Sequence, residues 1–332
     1  MKEQIKQKDI PKTTNTDTAD KKDTKDKKDI TQSRIDTIGE EIKDNLKKLQ
    51  DARDGRRCYP FLLHNTSITD LVVEDVFDEL RKDYSDCNER LDVLIYSSGG
   101  DLDAAYNLGL LFRRYAKKEL NFLIGRWAKS AATLLACSGN TILMSPIAEL
   151  GPLDPQITEM NPLDKRLENF SPLHIEATLN LIREEYSKGN EKLAKGLLER
   201  LQFPLTLGSF KKSVDIGIVY TTRLLSSRML TGDKKDEKAK TIAEKLTTGY
   251  ADHSFCIDID EAKNIGLNVN ELNGQELDIV WHIHKLYRER EELRTKQKKK
   301  ENEKVLRNLP PELLKMLPNE GNSDGTPKDS DV

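Results

Sequence analysis

The sequence predicts an α/β fold built around a mostly parallel sheet. Three short apolar runs have the length and composition of buried strands. They cover residues 91–96, 121–127 and 141–145. Two stretches with helical periodicity separate them, 103–117 and 131–138, and the second ends at Gly139. Strands and helices that alternate at this pace form right-handed βαβ units, which bind ligands at the carboxyl ends of their strands.

Further elements flank this central region. A strand over 58–64 and a helix over 70–84 come before it. After residue 156 the pattern becomes helical, and we expect an appended helical region. Its predicted helices cover residues 174–188, 191–201, 209–230 and 236–247. No internal repeat is visible.

Composition divides the chain into three parts. Residues 1–50 are predicted to be a disordered charged tail, because Lys, Asp and Thr dominate their first 34 positions and bury too little surface to offset ordering entropy. Residues 51–290 form the predicted globular domain. Residues 291–332 are predicted to be a charged helical and then disordered tail. The 332-residue chain carries a formal net charge of −3, which argues against nucleic acid as a partner.

Other functional classes are disfavoured by what the sequence lacks. No apolar run approaches the ~18 residues of a membrane span, and the start of the chain has no apolar signal segment, so we expect a cytoplasmic protein. The four cysteines have no C-x-x-C spacing, which predicts reduced structural thiols and no zinc or other metal. No nucleotide-binding glycine motif follows a strand, so no cofactor is expected, and an ATPase partner is left open.

Two corners between a strand and a helix carry the candidate chemistry. The first reads Ser-Ser-Gly-Gly-Asp over residues 97–101, and its adjacent glycines let backbone amides approach a ligand closely. The second places Ser130 at the start of a helix, where free amides and the helix dipole favour negative charge. A nucleophile beside amide donors is the equipment of acyl transfer. Ser130 as an ordinary helix N-cap is the competing interpretation.

The order of these features resembles the Clp protease and crotonase superfamily. The resemblance rests on the S-S-G-G-D corner, the K-S-A-A helix, the Gly-Pro-Leu-Asp-Pro-Gln segment at 151–156 and the E-A-x-x-x-G-L segment at 261–267. The chain is most similar to the serine dehydrogenase proteinase branch, which is related to signal peptide peptidase A. The resemblance implies a spiral of βαβ units and a serine peptidase that acts on a peptide or protein substrate and assembles as a homo-oligomer.

The resemblance also implies roles for particular residues. Ser130 would be the nucleophile, and the amides of Gly99, Gly100 and Ala131 would form the oxyanion hole. Two alternatives stay open: a catalytically inactive Clp-fold scaffold, and an acyl-CoA enzyme of the crotonase type that uses the same pair of amides.

The general base is the open question. Clp-type relatives carry a histidine where this chain has Gly151-Pro152-Leu153. His253 is the first candidate, because it lies where those relatives carry the acid and because histidine titrates near neutrality. His174, close to where the peptidase A type carries a lysine, comes second, followed by Lys165 and Lys129. Asp154 either orients a base or forms an Asx turn.

Overall fold

The structure, a computed structural model, describes residues 17–83, 89–155, 157–160, 167–170, 172–200 and 204–310. Within these ranges the side chains of 17–29, 157–160, 167–170, 172–176, 200 and 204–210 are not described. The chain divides into one compact unit of Met1–Glu40 with Glu289–Val332 and a second of Glu41–Arg288. The second unit contains the sheet and the candidate site.

The second unit is organised by a six-stranded sheet in which every strand pair is parallel. Its strands are β1 (Arg57–Leu62), β2 (Arg90–Ser97), β3 (Glu119–Ala128), β4 (Thr141–Met144), β5 (Glu149–Leu150) and β8 (Val269–Glu271). The order is β1-β2-β3-β4-β8, and β5 pairs with the end of β3. A separate antiparallel hairpin joins β6 (Ile157–Met160) to β7 (Leu167–Phe170).

Ten α-helices accompany the strands in the described ranges. They are α1 (Asp17–Ala52), α2 (Asp70–Asp83), α3 (Leu102–Tyr115), α4 (Ala131–Ala136), α5 (Pro172–Ser187), α6 (Glu191–Arg200), α7 (Pro204–Leu224), α8 (Lys235–Thr248), α9 (Ile259–Asn264) and α10 (Gly274–Arg307). A π-helical turn, Leu225–Met229, extends α7. The α/β class, the mostly parallel sheet and the appended helices are thus confirmed.

The core lies between the sheet and helices α3 and α4. Phe112 on α3 meets Phe122 on β3 edge to face, with ring centroids 6.4 Å apart, and both side chains are fully buried. All six residues of α4 are buried, which explains why this helix is apolar on every side. A short buried helix directly after β3 fixes the corner at Ser130 rigidly.

The amino ends of the strands are closed by a buried ionic network. Asp92 on β2 is 1% exposed and pairs with Arg53, whose Nη1 also lies 3.0 Å from Glu276 Oε2. Arg56 Nη1 lies 2.7 Å from Glu119 Oε1 on the neighbouring strand. Charges taken out of water in this way are tolerated because each has a partner of opposite sign.

The N-terminal segment differs from its prediction as a tail without structure. From Asp17 to Ala52 it forms helix α1. Ile35 and Ile38 are buried within the first unit, and Ile42 and Leu49 within the second. Their spacing of three, four and seven residues places them on one helical face, and burial of that face stabilises a helix whose other positions are charged. The prediction of a disordered segment over 1–50 is therefore wrong for residues 17–50.

The region after residue 156 differs in one respect as well. We expected helices alone, yet the β6–β7 hairpin precedes α5. At the other end of the chain, α10 continues past residue 290 to Arg307, which agrees with the predicted charged helix. Residues 311–332, predicted as a disordered tail, lie outside the described residues.

Candidate active site

The two glycine- and serine-bearing corners meet at a cavity of about 390 Å³ at the carboxyl ends of β2 and β3. Ser130, Gly99, Gly100, Asp154 and His253 all line it. Four of these five come from loops that follow strands, as parallel α/β topology leads one to expect. His253 comes from the loop between α8 and α9, 99 residues after Asp154 in the chain.

Ser130 occupies a strained position. Its backbone has φ 51° and ψ −125°, a combination that residues with a side chain rarely adopt, at a typical cost of ~1–3 kcal/mol. Its side chain makes no capping hydrogen bond, whereas Asp101 Oδ1 at the other corner accepts the Ala104 N–H at 2.8 Å. Ser130 is therefore not an ordinary N-cap. Ser130 thus lies in a sharp turn between the end of β3 and the first residue of α4.

The glycine corner has no room for side chains. A Cβ on Gly100 would lie 2.4 Å from the backbone N and O of Ile68, and one on Gly99 would lie 2.7 Å from Lys129 O. Both glycines have positive φ, 107° and 150°. The first corner is thus packed directly against the second, which brings the Gly99–Gly100 backbone beside Ser130.

The backbone amides at the two corners differ in their partners. The Gly99 N–H donates to Ser97 Oγ at 3.1 Å. The N–H groups of Gly100 and Ala131 donate to no other described residue. Unpaired amides next to a serine are suited to bind a developing oxyanion. Of the three predicted donors, Gly100 and Ala131 thus have amides without an acceptor among the described residues, and the Gly99 amide is engaged within its own turn.

Asp154 and His253 form the charged pair of the cavity. Asp154 Oδ1 lies 2.5 Å from His253 Nδ1, and the two side chains are 1% and 36% exposed. The hydrogen bond that Asp154 accepts from the imidazole raises the pKa of His253 above its ordinary 6.5, although partial burial acts in the opposite direction. A buried carboxylate on Nδ1 fixes the ring orientation and leaves Nε2 available for proton transfer. His253 makes no hydrogen bond to Ser130 in this structure.

Backbone contacts hold the two arms of this pair together. Leu150 and Ile257 exchange N–H···O bonds of 2.9 and 3.1 Å in an isolated antiparallel bridge. The N–H of Leu153, next to Asp154, donates to Leu246 O at 2.8 Å. These bonds anchor the 150s loop to the segments on either side of His253.

Thr133 connects the Ser130 corner to the arm that carries Asp154. Its fully buried hydroxyl donates to Ala128 O at 2.7 Å and accepts the Gly151 N–H at 3.0 Å. One side of Gly151 faces the corner so closely that a Cβ there would lie 3.3 Å from Ser130 N. One hydroxyl thus joins the end of β3, helix α4 and the 150s loop.

The remaining predicted bases lie elsewhere or outside the description. Lys129 Nζ pairs with Glu149 Oε2 at 2.6 Å, and Lys129 does not line the cavity. The backbone of His174 belongs to α5, but its side chain is not described, and Lys165 lies outside the described residues. Sequence reasoning favoured an Asx turn for Asp154, whereas the structure shows it bonded to His253.

Three further properties bear on the kind of protein. Among the described residues, no cluster of three or more His, Cys, Asp and Glu side chains is placed to hold a metal ion. Of the described cysteines, Cys58 and Cys137 are buried and Cys256 is exposed, all three as free thiols. Within the described ranges, no helix combines the length and apolar character that crossing a bilayer requires.

Comparison with known proteins finds similarity to two archaeal proteins. No protein-family model matches the chain. The uncharacterized protein MJ1495 of Methanocaldococcus jannaschii is 26% identical over 180 residues, which cover 54% of this chain and 52% of that protein. The uncharacterized protein MJ0137 of the same organism is 24% identical over 195 residues, covering 59% and 58%. The chain thus spans little more than half the length of these relatives.

The solved structures that resemble this chain include two proteases. A mutant of the 1510-N membrane-bound stomatin-specific protease has a TM-score of 0.41 at 17% identity, over 66% of this chain and 81% of that one. ClpP1 from Listeria monocytogenes has a TM-score of 0.36 at 17% identity, over 70% and 98%. Because both scores are below 0.5, the inferences that follow rest on the residues of this chain.

Proposed function

We propose that this protein is a serine hydrolase that cleaves peptide bonds through an acyl-enzyme. Ser130 is the nucleophile, His253 the general base and Asp154 the carboxylate that orients the base. The Gly100 and Ala131 amides form the oxyanion hole. The fold is assigned, as part of the same proposal, to the Clp protease and crotonase type that the sequence resembles.

One observation carries this proposal. A buried carboxylate bonded to a half-exposed histidine shares a single cavity with a serine held at a strained strand-to-helix corner. Strain of this kind persists only where surrounding structure imposes it, and it is concentrated at functional sites. Serine, histidine and aspartate in these relations are recognised by geometry and role, independent of their order in the chain.

The order of the residues departs from the Clp pattern in an informative way. Asp154 follows the segment where the resemblance calls for a histidine, and His253 lies where it calls for the acid. The acid and the base are thus exchanged along the chain, while the carboxylate–imidazole contact is preserved at 2.5 Å. This exchange supports the assignment of His253, because it explains why the segment directly after Leu150, residues 151–153, contains no histidine.

The chemistry follows from these positions. His253 Nε2 takes the Ser130 hydroxyl proton as Oγ attacks the substrate carbonyl carbon. The carbonyl oxygen becomes an oxyanion that accepts hydrogen bonds from Gly100 and Ala131, each worth roughly 3 kcal/mol in the transition state. Protonated His253 then gives the proton to the leaving amine, the C–N bond breaks, and water releases the acyl group by the same steps in reverse. Since His253 and Ser130 are not hydrogen-bonded here, substrate binding has to close that distance.

A fluorophosphonate probe tests the proposal directly. We expect the wild-type protein to be labelled on Ser130 and Ser130→Ala to stay unlabelled with the same fold. A matched control is Ser98→Ala, because Ser98 lines the same cavity without a role in the mechanism. Wild-type protein that is never labelled would instead favour the inactive scaffold. Homo-oligomeric assembly and a cytoplasmic location stay predictions.

A further inference from the structure

Apart from its histidine, the charged residues that line the candidate active site are acidic. Besides Asp154, which pairs with His253, the cavity is lined by Asp101 and Asp103 at the start of α3. Apart from His253, no cationic side chain is among the described residues that line the cavity. Asp101 and Asp103 form no ion pair with another described residue.

The two carboxylates are held differently. Asp101 accepts the Ala104 N–H as the helix N-cap, so the positive end of α3 offsets much of its charge. Asp103 Oδ1 instead accepts the phenol O–H of Tyr220 at 2.6 Å, across from α3 to α7. Tyr220 stacks on Tyr106 with ring centroids 4.1 Å apart and an interplanar angle of 11°. The carboxylate of Asp103 is thereby oriented by a neutral donor and forms no ion pair with another described residue.

The Asp103–Tyr220 contact spans the elements that form the cavity. Ser213 and Ile216, one turn or more before Tyr220 on α7, also line it. The start of α3 and this part of α7 thus line the same cavity as Ser130. A carboxylate fixed in that cavity selects by charge, because opposite charges attract at short range and like charges repel.

Building on the proposed function, we infer that Asp103 is a specificity-determining residue that selects substrates with a lysine or arginine side chain next to the scissile bond. Leu102, Leu153 and Ile216 supply apolar contacts for the methylene stem of such a side chain. Tyr220 is the positioning residue that orients the carboxylate.

Peptide substrates that differ at one position test this inference. Fluorogenic peptides carry Lys, Met or Glu immediately before or after the cleaved bond, so that charge changes while length is nearly constant. We expect kcat/KM to favour Lys over Met by about twofold to fivefold, as an exposed ion pair allows, and to disfavour Glu. Asp103→Asn should abolish the Lys preference, Asp103→Lys should turn it toward Glu, and Tyr220→Phe should reduce it. High salt should weaken the preference in the wild-type protein.

A matched control and an independent readout make the outcomes distinct. Asp236→Asn removes an exposed carboxylate from the first turn of α8, away from the cavity, and should leave the preference unchanged. The rate of fluorophosphonate labelling of Ser130 should be nearly equal in wild type and Asp103→Asn, because the probe is uncharged. If wild type cleaves the Lys and Met peptides equally and is labelled normally, the inferred role of Asp103 is wrong but the proposed function stands. Absence of labelling in wild type would overturn both.

Discussion

Polar groups are arranged in opposite ways at the two ends of the strands, which we call the amino edge and the carboxyl edge of the sheet. At the amino ends of the strands, Asp92 is almost fully buried and is matched by Arg53. At the carboxyl ends, Gly100 and Ala131 have amides with no acceptor among the described residues, and Ser130 is held in strained backbone. One edge satisfies its charges internally, and the other keeps two amides without a described acceptor next to a serine that lines a cavity.

A single sheet thus places residues that stabilise the fold at one end of its strands and candidate reactive groups at the other. Buried charges without partners are strongly destabilising, so the amino edge tolerates little change. Strained and unpaired groups are retained only where they serve a function, and they lower stability. We therefore expect substitution of Ser130 at the carboxyl edge to remove activity at little cost in stability, and substitution of Asp92 at the amino edge to do the reverse.

The largest effect is expected from the base. His253→Ala should lower kcat by about a thousandfold or more, because Ser130 then keeps its proton during attack. Removing the ring also takes one partner from the buried Asp154 carboxylate, so the free energy of unfolding should fall as well. Stopped assays together with urea unfolding measure both quantities. His174→Ala serves as the comparison, and if that variant loses the activity while His253→Ala keeps it, the base has to be reassigned.

The pH profile sharpens the same assignment. Asp154 raises the pKa of His253, so the protonated and inactive ring persists to higher pH than an isolated histidine would. In wild type, kcat/KM should therefore rise with pH through an apparent pKa above 6.5. Asp154→Asn should shift the midpoint to lower pH and reduce the plateau strongly, because an amide does not stabilise the imidazolium. An unchanged pH midpoint of kcat/KM in Asp154→Asn would show that Asp154 does not set the pKa of the group that controls activity.

At the amino edge, Asp92→Asn is expected to cost about 3 kcal/mol of unfolding free energy, since it leaves Arg53 without its buried carboxylate. Fluorophosphonate labelling of the folded fraction should be unchanged. Asp78→Asn is the matched control, because its partner Arg81 lies on the same exposed helix and both side chains face water. Loss of labelling in folded Asp92→Asn protein would show that the two edges are coupled.

An intermediate effect is expected at Thr133. Thr133→Val preserves shape but leaves the Gly151 N–H and Ala128 O without the hydroxyl, at a cost of roughly 1–3 kcal/mol. Because Gly151 leads to Asp154, kcat should fall more than KM rises and the pH midpoint of activity should move. Thr133→Ser restores both hydrogen bonds and should restore both kinetic quantities. A Val variant that loses stability but keeps the wild-type pH profile would limit Thr133 to packing.

The smallest effect concerns backbone strain. Ser130→Gly and Ser130→Ala both lack the nucleophile, but only glycine relieves the positive φ. We expect the glycine variant to be more stable than the alanine variant by about 1 kcal/mol, after allowing for its larger chain entropy. Thermal unfolding of the two inactive proteins measures the difference. Equal melting temperatures would indicate that the corner stores no strain.

What the sequence could predict depends on how local the signal is. The strands β2, β3 and β4 were predictable because each contains a short apolar run, and Ser130, Gly99 and Gly100 are marked by the corners that follow β2 and β3. Helix α1 was missed because its buried isoleucines and leucine are diluted by charged residues. The spacing of Ile35, Ile38 and Ile42 was the available signal.

The Asp154–His253 pair shows the limit of such reasoning. The two residues are 99 positions apart, and only the Leu150–Ile257 bridge and neighbouring contacts bring their loops together. Neither residue type is unusual in its own segment. The role of Asp154 therefore emerges from tertiary structure, whereas the position of Ser130 follows from a local turn.

The exposed thiol of Cys256 gives the protein a built-in reporter. It lies three residues after His253 and directly before Ile257, which bridges to Leu150. Partial burial, with the nearby Glu149, raises its pKa, so alkylation should be efficient only in alkaline buffer, and buried Cys58 and Cys137 should react far more slowly. A dye attached there would sense movement of the histidine loop when a ligand arrives. Because Cys256 lies so close to His253 in the chain, inactivation by a thiol reagent would not show that a cysteine is the nucleophile.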